Sequence, residues 1–266
     1  MKIWTVANQK GGVGKTTSAV TLGGLLSERG FRVLLVDLDP HGSLTTYFKI
    51  NPEVLPGNAY HLFQDASQGK ASQIQSYIHS TTMEGLKVLP ATTALASIER
   101  KGSGFDGMGL VVSRALNTID SEFDYALIDS PPLLGVLMIN ALAACASLLI
   151  PVQTEFLALK GLERMISTLQ MIYKSRHKGL DYLIVPTLFD RRTSASVKTL
   201  NTLRENYPDK LWDSVIPIDT KLRDASREGF PASVLYPDSR SVIAYTALLE
   251  RLTEKEELDL PKTVSA

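Results

Sequence analysis

Residues 10–17 read Lys-Gly-Gly-Val-Gly-Lys-Thr-Thr, a composition suited to holding phosphate. Glycines let backbone N–H groups curl around phosphate oxygens, and a helix that starts directly after them adds its dipole and unpaired donors. In such a loop Gly11, Gly12, Val13 and Gly14 supply the cradle, and Lys15 reaches the β- and γ-phosphates. The Thr16 hydroxyl ligates Mg2+, and Thr17 stands at the α-phosphate. The usual spacing is G-x-x-x-x-G-K-[ST]; here Gln9 replaces the first glycine and Lys10 adds a second lysine. A cation at that point adds positive charge where charge develops as a γ-phosphoryl group leaves. Asp129 follows the apolar run Tyr125–Ile128, and a carboxylate at the carboxyl end of a parallel strand holds Mg2+ through water. Asp39 closes the run that begins at Val33, and Asp37 points to the same sheet face.

The elements that must position these groups are legible as short apolar runs alternating with helical periods. Ile3–Ala7, Val33–Val36, Leu86–Leu89, Tyr125–Ile128, Ser147–Val152 and Tyr182–Val185 are continuous rather than alternating, as in strands buried on both faces of a parallel sheet. A helix is expected over Thr16–Arg29, with Gly30 placed to stop it. Gly23 and Gly24 inside it cost about 1 kcal/mol each against alanine, so close packing must compensate. Leu133–Val152 is interrupted by Gly135, Asn140, Ser147 and Pro151 and reads as a buried helix followed by a strand, not a membrane span. Gly102–Gly109 reads as a loop, and the tail after Leu252 as frayed. Strand–helix–strand repeats point to a doubly wound α/β fold, a mostly parallel sheet with helices on both faces, in one domain over residues 1–266.

With the elements in place, KGGVGKTT resembles the deviant Walker A box of the ParA/MinD family of P-loop ATPases. Val36–Gly42 (VDLDPHG) is similar to that family's first switch segment, Asp124–Pro132 (DYALIDSPP) to its Walker B and second switch, and Pro151–Leu162 (PVQTEFLALKGL) to the ParA branch. The match runs in register from Lys2 to about Leu249. The resemblance implies ATP and ADP with Mg2+ as cofactors, hydrolysis to ADP and phosphate, and a homodimer in the ATP state. It implies that Lys10 reaches the partner subunit's ATP and that Asp39 orients the attacking water and supports the Mg2+ shell. Pro186–Asp190 and Pro217–Asp219 match loops that hold adenine, giving Pro186, Thr187, Pro217, Ile218 and Asp219 as base-side residues, with Asp219 in place of the usual asparagine. His41 replaces the usual switch glutamine; a lone histidine is more often incidental, so no catalytic role is assigned to it.

Partner surfaces are read from local charge. The chain balances 28 Lys/Arg against 28 Asp/Glu, so no whole-protein field draws in nucleic acid or anionic membrane. From Lys174 to Arg227, however, Lys and Arg outnumber Asp and Glu by eleven to seven. Arg191, Arg192 and Lys221 stand where ParA proteins carry the basic residues that bind DNA without sequence preference. The segment Thr253–Ala266 is acidic, unlike the basic amphipathic helix of MinD-type relatives, and argues against membrane binding. MKIWTVANQK has no apolar run followed by a small-residue cleavage site, so no secretory signal is expected. With Met1 two residues before the first strand, no N-terminal helix-turn-helix is expected either.

The sequence therefore points to a cytoplasmic, nucleoid-associated or polar ATPase switch that positions a cargo, together with a cargo adaptor or ATPase-activating protein. Within the family the chain looks most like the ParC-type members that place chemotaxis arrays at cell poles. The alternatives are a MinD-like membrane-associated ATPase and a metabolic P-loop enzyme. A reductase of the nitrogenase type needs cluster-ligating cysteines, and Cys145 stands alone. No motif marks the second substrate pocket of an amide or carboxylate ligase, and a non-hydrolysing module would lack Asp39 or Asp129.

Overall fold

A parallel sheet buried on both faces needs apolar side chains at every strand position, and the six apolar runs meet that demand. In a computed structural model, which describes residues 1–101, 107–174 and 181–258, they form β1 (Lys2–Val6), β2 (Val33–Asp37), β4 (Leu86–Leu89), β5 (Tyr125–Asp129), β6 (Ser147–Gln153) and β7 (Asp181–Thr187). The strand β3 (His79–Ser80), antiparallel to β4, completes the sheet at one edge and was not expected; it is too short and too polar to show a pattern. The strand order is β3-β4-β2-β5-β1-β6-β7, with all pairs but β3–β4 parallel. This is the doubly wound, mostly parallel sheet that the alternation of runs and helices predicts.

Alternate residues feed two cores. Trp4, Val6, Val33, Leu35, Tyr125 and Leu127 pack on the face covered by the helix Lys15–Glu28 and the C-terminal helix Arg240–Leu258. Ile3, Leu34, Val36, Ala126 and Ile128 pack on the opposite face. Period-two alternation continues past the apolar residues, so Asp37 and Asp129 fall on the same face as the helix Lys15–Glu28. Because β5 lies between β2 and β1, three strand ends meet at one point: Val6 and Asp37 are both register partners of Asp129.

The helix Lys15–Glu28 begins and ends one residue earlier than expected, and Gly30 (φ 86°) turns the chain after it. Leu133–Val152 divides as read, into the helix Val136–Ala144 and β6, and no helix among the described residues is long and apolar enough to cross a membrane. Of the expected loop over Gly102–Gly109, residues 102–106 lie outside the described residues, while Met108–Leu110 form a short 3-10 turn. The tail is a correction: the helix Arg240–Leu258 continues through Leu258 instead of fraying after Leu252, because Leu248, Leu249 and Leu252 anchor it in the core. The remainder, 259–266, lies outside the described residues.

The two helical glycines have the close neighbours that their cost demands. A Cβ on Gly23 would lie 2.7 Å from Leu35 Cδ2, and one on Gly24 would lie 2.5 Å from Pro231 Cβ and 2.8 Å from Ser233 Oγ. Gly24 is therefore where the helix carrying Thr16 and Thr17 is pressed against the segment before the C-terminal helix. Gly24→Ala is expected to lower stability by about 1–2 kcal/mol, overpacking outweighing the gain in helix propensity. Urea denaturation checks this, and a stabilised variant would show that the contact has room.

Candidate functional site

The chain leaves β1 into a loop held from three sides. Asn8 donates from Nδ2 to the Pro151 carbonyl (2.8 Å), and its Oδ1 accepts from the Lys10 N–H (2.9 Å). The Thr187 hydroxyl at the end of β7 donates to the Val13 carbonyl (2.8 Å). Gly12 (φ 73°) and Gly14 (φ 92°) occupy the left-handed region, and Gly14 caps the helix that starts at Lys15. Cβ atoms built on Gly11, Gly12 and Gly14 meet nothing within 4 Å, so the loop presents its backbone to open space. That is the cradle the motif requires, at the end of a helix dipole.

Lys15 is buried and its ammonium donates to the Lys10 carbonyl (3.1 Å). Burial lowers its pKa, opposed by the charges of Asp129 and Asp39. The Thr16 hydroxyl donates to Asp129 Oδ2 (2.6 Å), while Asp129 Oδ1 is buried with no hydrogen-bond partner among the described residues. Burial, with the charge of Asp37 next, pushes the Asp129 carboxyl up to about 8. A buried carboxylate oxygen without a partner is what a hard divalent cation satisfies, so the residues fit Mg2+ held by Thr16 and Asp129.

Asp37 has its own task. Its carboxylate accepts from the Thr45 N–H (2.9 Å), the Thr45 hydroxyl (2.7 Å) and the Asp39 N–H (3.1 Å), and burial raises its pKa to about 6 against these bonds. It anchors the loop behind β2. Asp39 differs from expectation: β2 ends at Asp37, so Asp39 lies in the loop beyond the sheet and shares no strand face with Asp37. There Asp39 Oδ1 accepts from the His41 N–H (3.0 Å) and lies 2.9 Å from His41 Nδ1. His41 is thus Asp39's neighbour, though its side chain is 81% exposed.

The Lys10 ammonium is tied to its own chain, ion-paired with Glu155 and 3.3 Å from Gln153 Oε1 at the end of β6. Glu155 lies in the matched segment Pro151–Leu162 but is not among the expected site residues, because nothing local shows that its carboxylate meets Lys10. On the base side, a cavity of about 410 Å3 opens beside Gly14, Thr16 and Thr17, walled by Tyr47, Leu188 and Ile218. Of the residues matched to adenine-holding loops, Thr187, Ile218 and Asp219 line it, while Pro186 and Pro217 are not among its lining residues. The Pro186 carbonyl instead accepts from the Ile216 N–H (2.8 Å), joining β7 to the base loop, and Pro217 faces a neighbouring cavity. The Asp219 carboxylate is taken by the Ser241 N–H and hydroxyl and the Lys221 N–H, so it braces the loop. Leu188 is held at φ 52°, a strained geometry for leucine that fixes the turn out of β7. Tyr47 and Tyr245, the latter 2.9 Å from Ser18 Oγ, complete the wall and carry no motif.

Of the basic residues, Arg191 is exposed. Arg192 makes a two-pronged pair with Asp190 (2.9 and 2.8 Å), which holds that carboxyl at about 2. Lys221 lies 3.5 Å from Asp224 and 4.7 Å from the centre of the Tyr236 ring.

Comparison with known proteins agrees with this geometry. A family model described as "AAA domain" matches residues 1–182. Sporulation initiation inhibitor protein Soj of Bacillus subtilis (strain 168) is 36% identical over 268 residues, covering 100% of this chain and 98% of that protein. Chromosome partitioning protein ParA of Caulobacter vibrioides (strain NA1000 / CB15N) is 33% identical over 259 residues, with 96% and 95% covered. Cobyrinic acid a,c-diamide synthase from Mycobacterium smegmatis, solved with bound ADP and magnesium, has a TM-score of 0.82 at 32% identity, covering 96% of this chain and 95% of that one. Similarity that runs end to end through the phosphate loop, the aspartate loop and the elements behind them leads to one conclusion: the chain belongs to the ParA family of P-loop ATPases.

Proposed function

We propose that the chain is an ATP-driven positioning switch: it binds ATP with Mg2+, pairs with a second copy around the nucleotide, holds DNA without sequence preference while paired, and separates after hydrolysis. The observation that carries this reading is Lys10. A phosphate loop that already contains Lys15 has a second cation at its rim, held by Gln153 at the end of β6 and Glu155 just beyond it rather than by the loop. Directly after Glu155 the side chains of Phe156 and Leu157 are exposed, and so are those of Leu133 and Leu134 beyond β5, apolar surface suited to a second copy.

Each residue then has a task. The backbone of Gly11–Gly14 and the Lys15 ammonium bind the phosphates; Thr16 and Asp129 would hold the metal, which would neutralise the charge that develops on the phosphates. Asp39, in a loop braced by Asp37, orients the attacking water. Thr17 takes the α-phosphate, and Ile218 and Leu188 close on the base. Lys10 crosses to the partner's nucleotide once Glu155 releases it. Arg191, Arg192 and Lys221 meet the DNA backbone.

The cargo proposed is a polar chemotaxis array, with a chromosome or plasmid as the alternative, linked through an adaptor that also activates hydrolysis. The site of action is the cytoplasm, at the nucleoid or pole. A second reading follows from the likeness to the diamide synthase structure. An amide-forming enzyme that draws ammonia from glutamine needs a reactive thiol as the nucleophile for that amide, in addition to its nucleotide site. Cys145 lies just before β6, at the amino end of the sheet and across from the phosphate loop, and donates to the Leu142 carbonyl. The positioning reading is preferred, and ATP turnover by the purified chain without a small acid substrate tests it.

Lys15→Gln is expected to weaken ATP binding by at least tenfold to a hundredfold in calorimetry, since charge-assisted bonds contribute about 1.5–3 kcal/mol. Asp39→Ala should retain ATP but hydrolyse it about a hundredfold more slowly, accumulating dimer in sedimentation velocity; a variant that stays monomeric with ATP would remove Asp39 from the switch. The raised Asp129 pKa predicts a pH effect. Between its unfolded value of 3.8 and about 8 the native state keeps a proton that the unfolded chain releases, so nucleotide-free stability falls as pH rises through that window. Asp129→Asn should keep the fall up to about pH 6 that Asp37 causes and flatten above it, measured by urea denaturation across pH. A wild-type profile that stays level from pH 5 to 8 would contradict the buried, proton-holding carboxyl.

A further inference from the structure

Four of the exposed cations beyond β7 line two cavities. Arg191 and Arg192 line one of about 240 Å3 with Phe189, Pro217 and Ile218. Lys221 lines the other, of about 500 Å3, with Tyr236 and Asp238. Arg240 lines both. It is the first residue of the helix Arg240–Leu258, whose start is pinned by the Asp219 carboxylate through Ser241. The charge of Arg240 reaches both sides. It helps hold Asp190 low, after the larger effect of Arg192, and it also acts on Asp219, where burial is outweighed by hydrogen bonds from Lys221 and Ser241.

The cations around these cavities are not equally available. Arg192 is bound by both carboxylate oxygens of Asp190, and Lys221 lies over Tyr236 and near Asp224. Among the described residues neither Arg191 nor Arg240 has a carboxylate within ion-pair distance, and both are exposed. Asp219 is compensated by backbone N–H groups, which leaves Asp238 as the opposing charge in the second cavity.

We propose that Arg240 is a phosphate-contacting residue that joins the Arg191 cavity to the Lys221 cavity in one continuous track for the backbone of duplex DNA, with Arg192 held in reserve by Asp190. The proposal rests on the DNA reading above and adds a residue to it that carries no motif. A guanidinium without an internal partner meets a phosphate through two parallel bonds and loses no ion pair in doing so. Each such contact displaces condensed counterions and steepens the salt dependence by about one unit of log–log slope.

The test is fluorescence anisotropy of a labelled, arbitrary-sequence duplex with the full chain and Mg-ATP over a salt series. Wild type is compared with Arg240→Ala, Arg240→Lys, Arg191→Ala, Arg192→Ala and Lys221→Glu, with each variant's fold checked by thermal denaturation. Arg240→Ala should weaken binding about tenfold and reduce the slope by about one, Arg240→Lys should keep the slope, and Arg192→Ala should cost less than Arg240→Ala. If Arg240→Ala keeps the wild-type slope while Arg191→Ala or Lys221→Glu loses it, the Arg240 assignment fails and the DNA reading stands. If wild type shows no ATP-dependent binding to duplex at any salt, or binds vesicles of anionic phospholipid instead, both fail.

Discussion

Two carboxylates buried side by side set the terms for everything around them. Parallel register between β2 and β5 places Asp37 opposite Asp129, both nearly without solvent, at the strand ends where the phosphate loop also begins. Burial of one unpaired carboxylate already costs several kcal/mol, and a like charge beside it adds to the cost. The fold meets this with two separate sets of donors. Asp37 takes the Thr45 N–H and hydroxyl and the Asp39 N–H, and Thr45 Oγ1 in turn accepts from the Ala91 N–H (2.8 Å) beyond β4. Asp129 takes the Thr16 hydroxyl and the nearby charge of Lys15. The unfilled oxygen of Asp129 is therefore a local defect in an otherwise satisfied arrangement, and it lies where the chemistry is.

What could be read from the sequence divides along the same line. Apolar runs declared β1, β2, β4, β5, β6 and β7 because burial on both faces imposes composition, and composition is local. The phosphate loop was legible for the same reason: its glycines, lysine and threonines must be adjacent in sequence to surround one ligand. The contacts that brace the loop come from far along the chain, and no local rule marks them. Glu155 pairs with Lys10, Thr187 with Val13, and Asp219 with Ser241 only because crossovers bring β6, β7 and the C-terminal helix to one end of the sheet. Arg240 reads in the sequence as an ordinary surface cation. The segment Thr253–Leu258 looked frayed because its own residues are charged, yet the helix it extends is anchored earlier by Leu248, Leu249 and Leu252.

The same long-range contacts decide how residues matched by position differ in role. Asp219 and Thr187 stand in segments that line the cavity beside the phosphate loop, but their side-chain polar atoms are spent on the protein itself, leaving backbone and apolar surface from Leu188 and Ile218 toward the cavity. Arg192 likewise sits in a basic segment with its charge already balanced by Asp190.

The loop's two lysines are joined in series. The Lys15 ammonium donates to the Lys10 carbonyl, and the Lys10 ammonium is paired with Glu155. The Lys10 side chain is 29% exposed and that of Glu155 41%, so solvent screens the pair and its worth is about 1 kcal/mol or less. A hydrogen bond from an ammonium to a charged partner in a drier setting contributes about 1.5–3 kcal/mol. On the reading proposed above, phosphate in the loop would outcompete the Lys10 carbonyl for Lys15, and a second copy's phosphate would outcompete Glu155 for Lys10. The Glu155 pair orders Lys10 within its own chain, and its exposure makes it weak enough for the exchange that the proposal requires. The deeply buried Asp37–Thr45 bonds, by contrast, have no comparably exposed member, so the aspartate loop would stay braced through such an exchange.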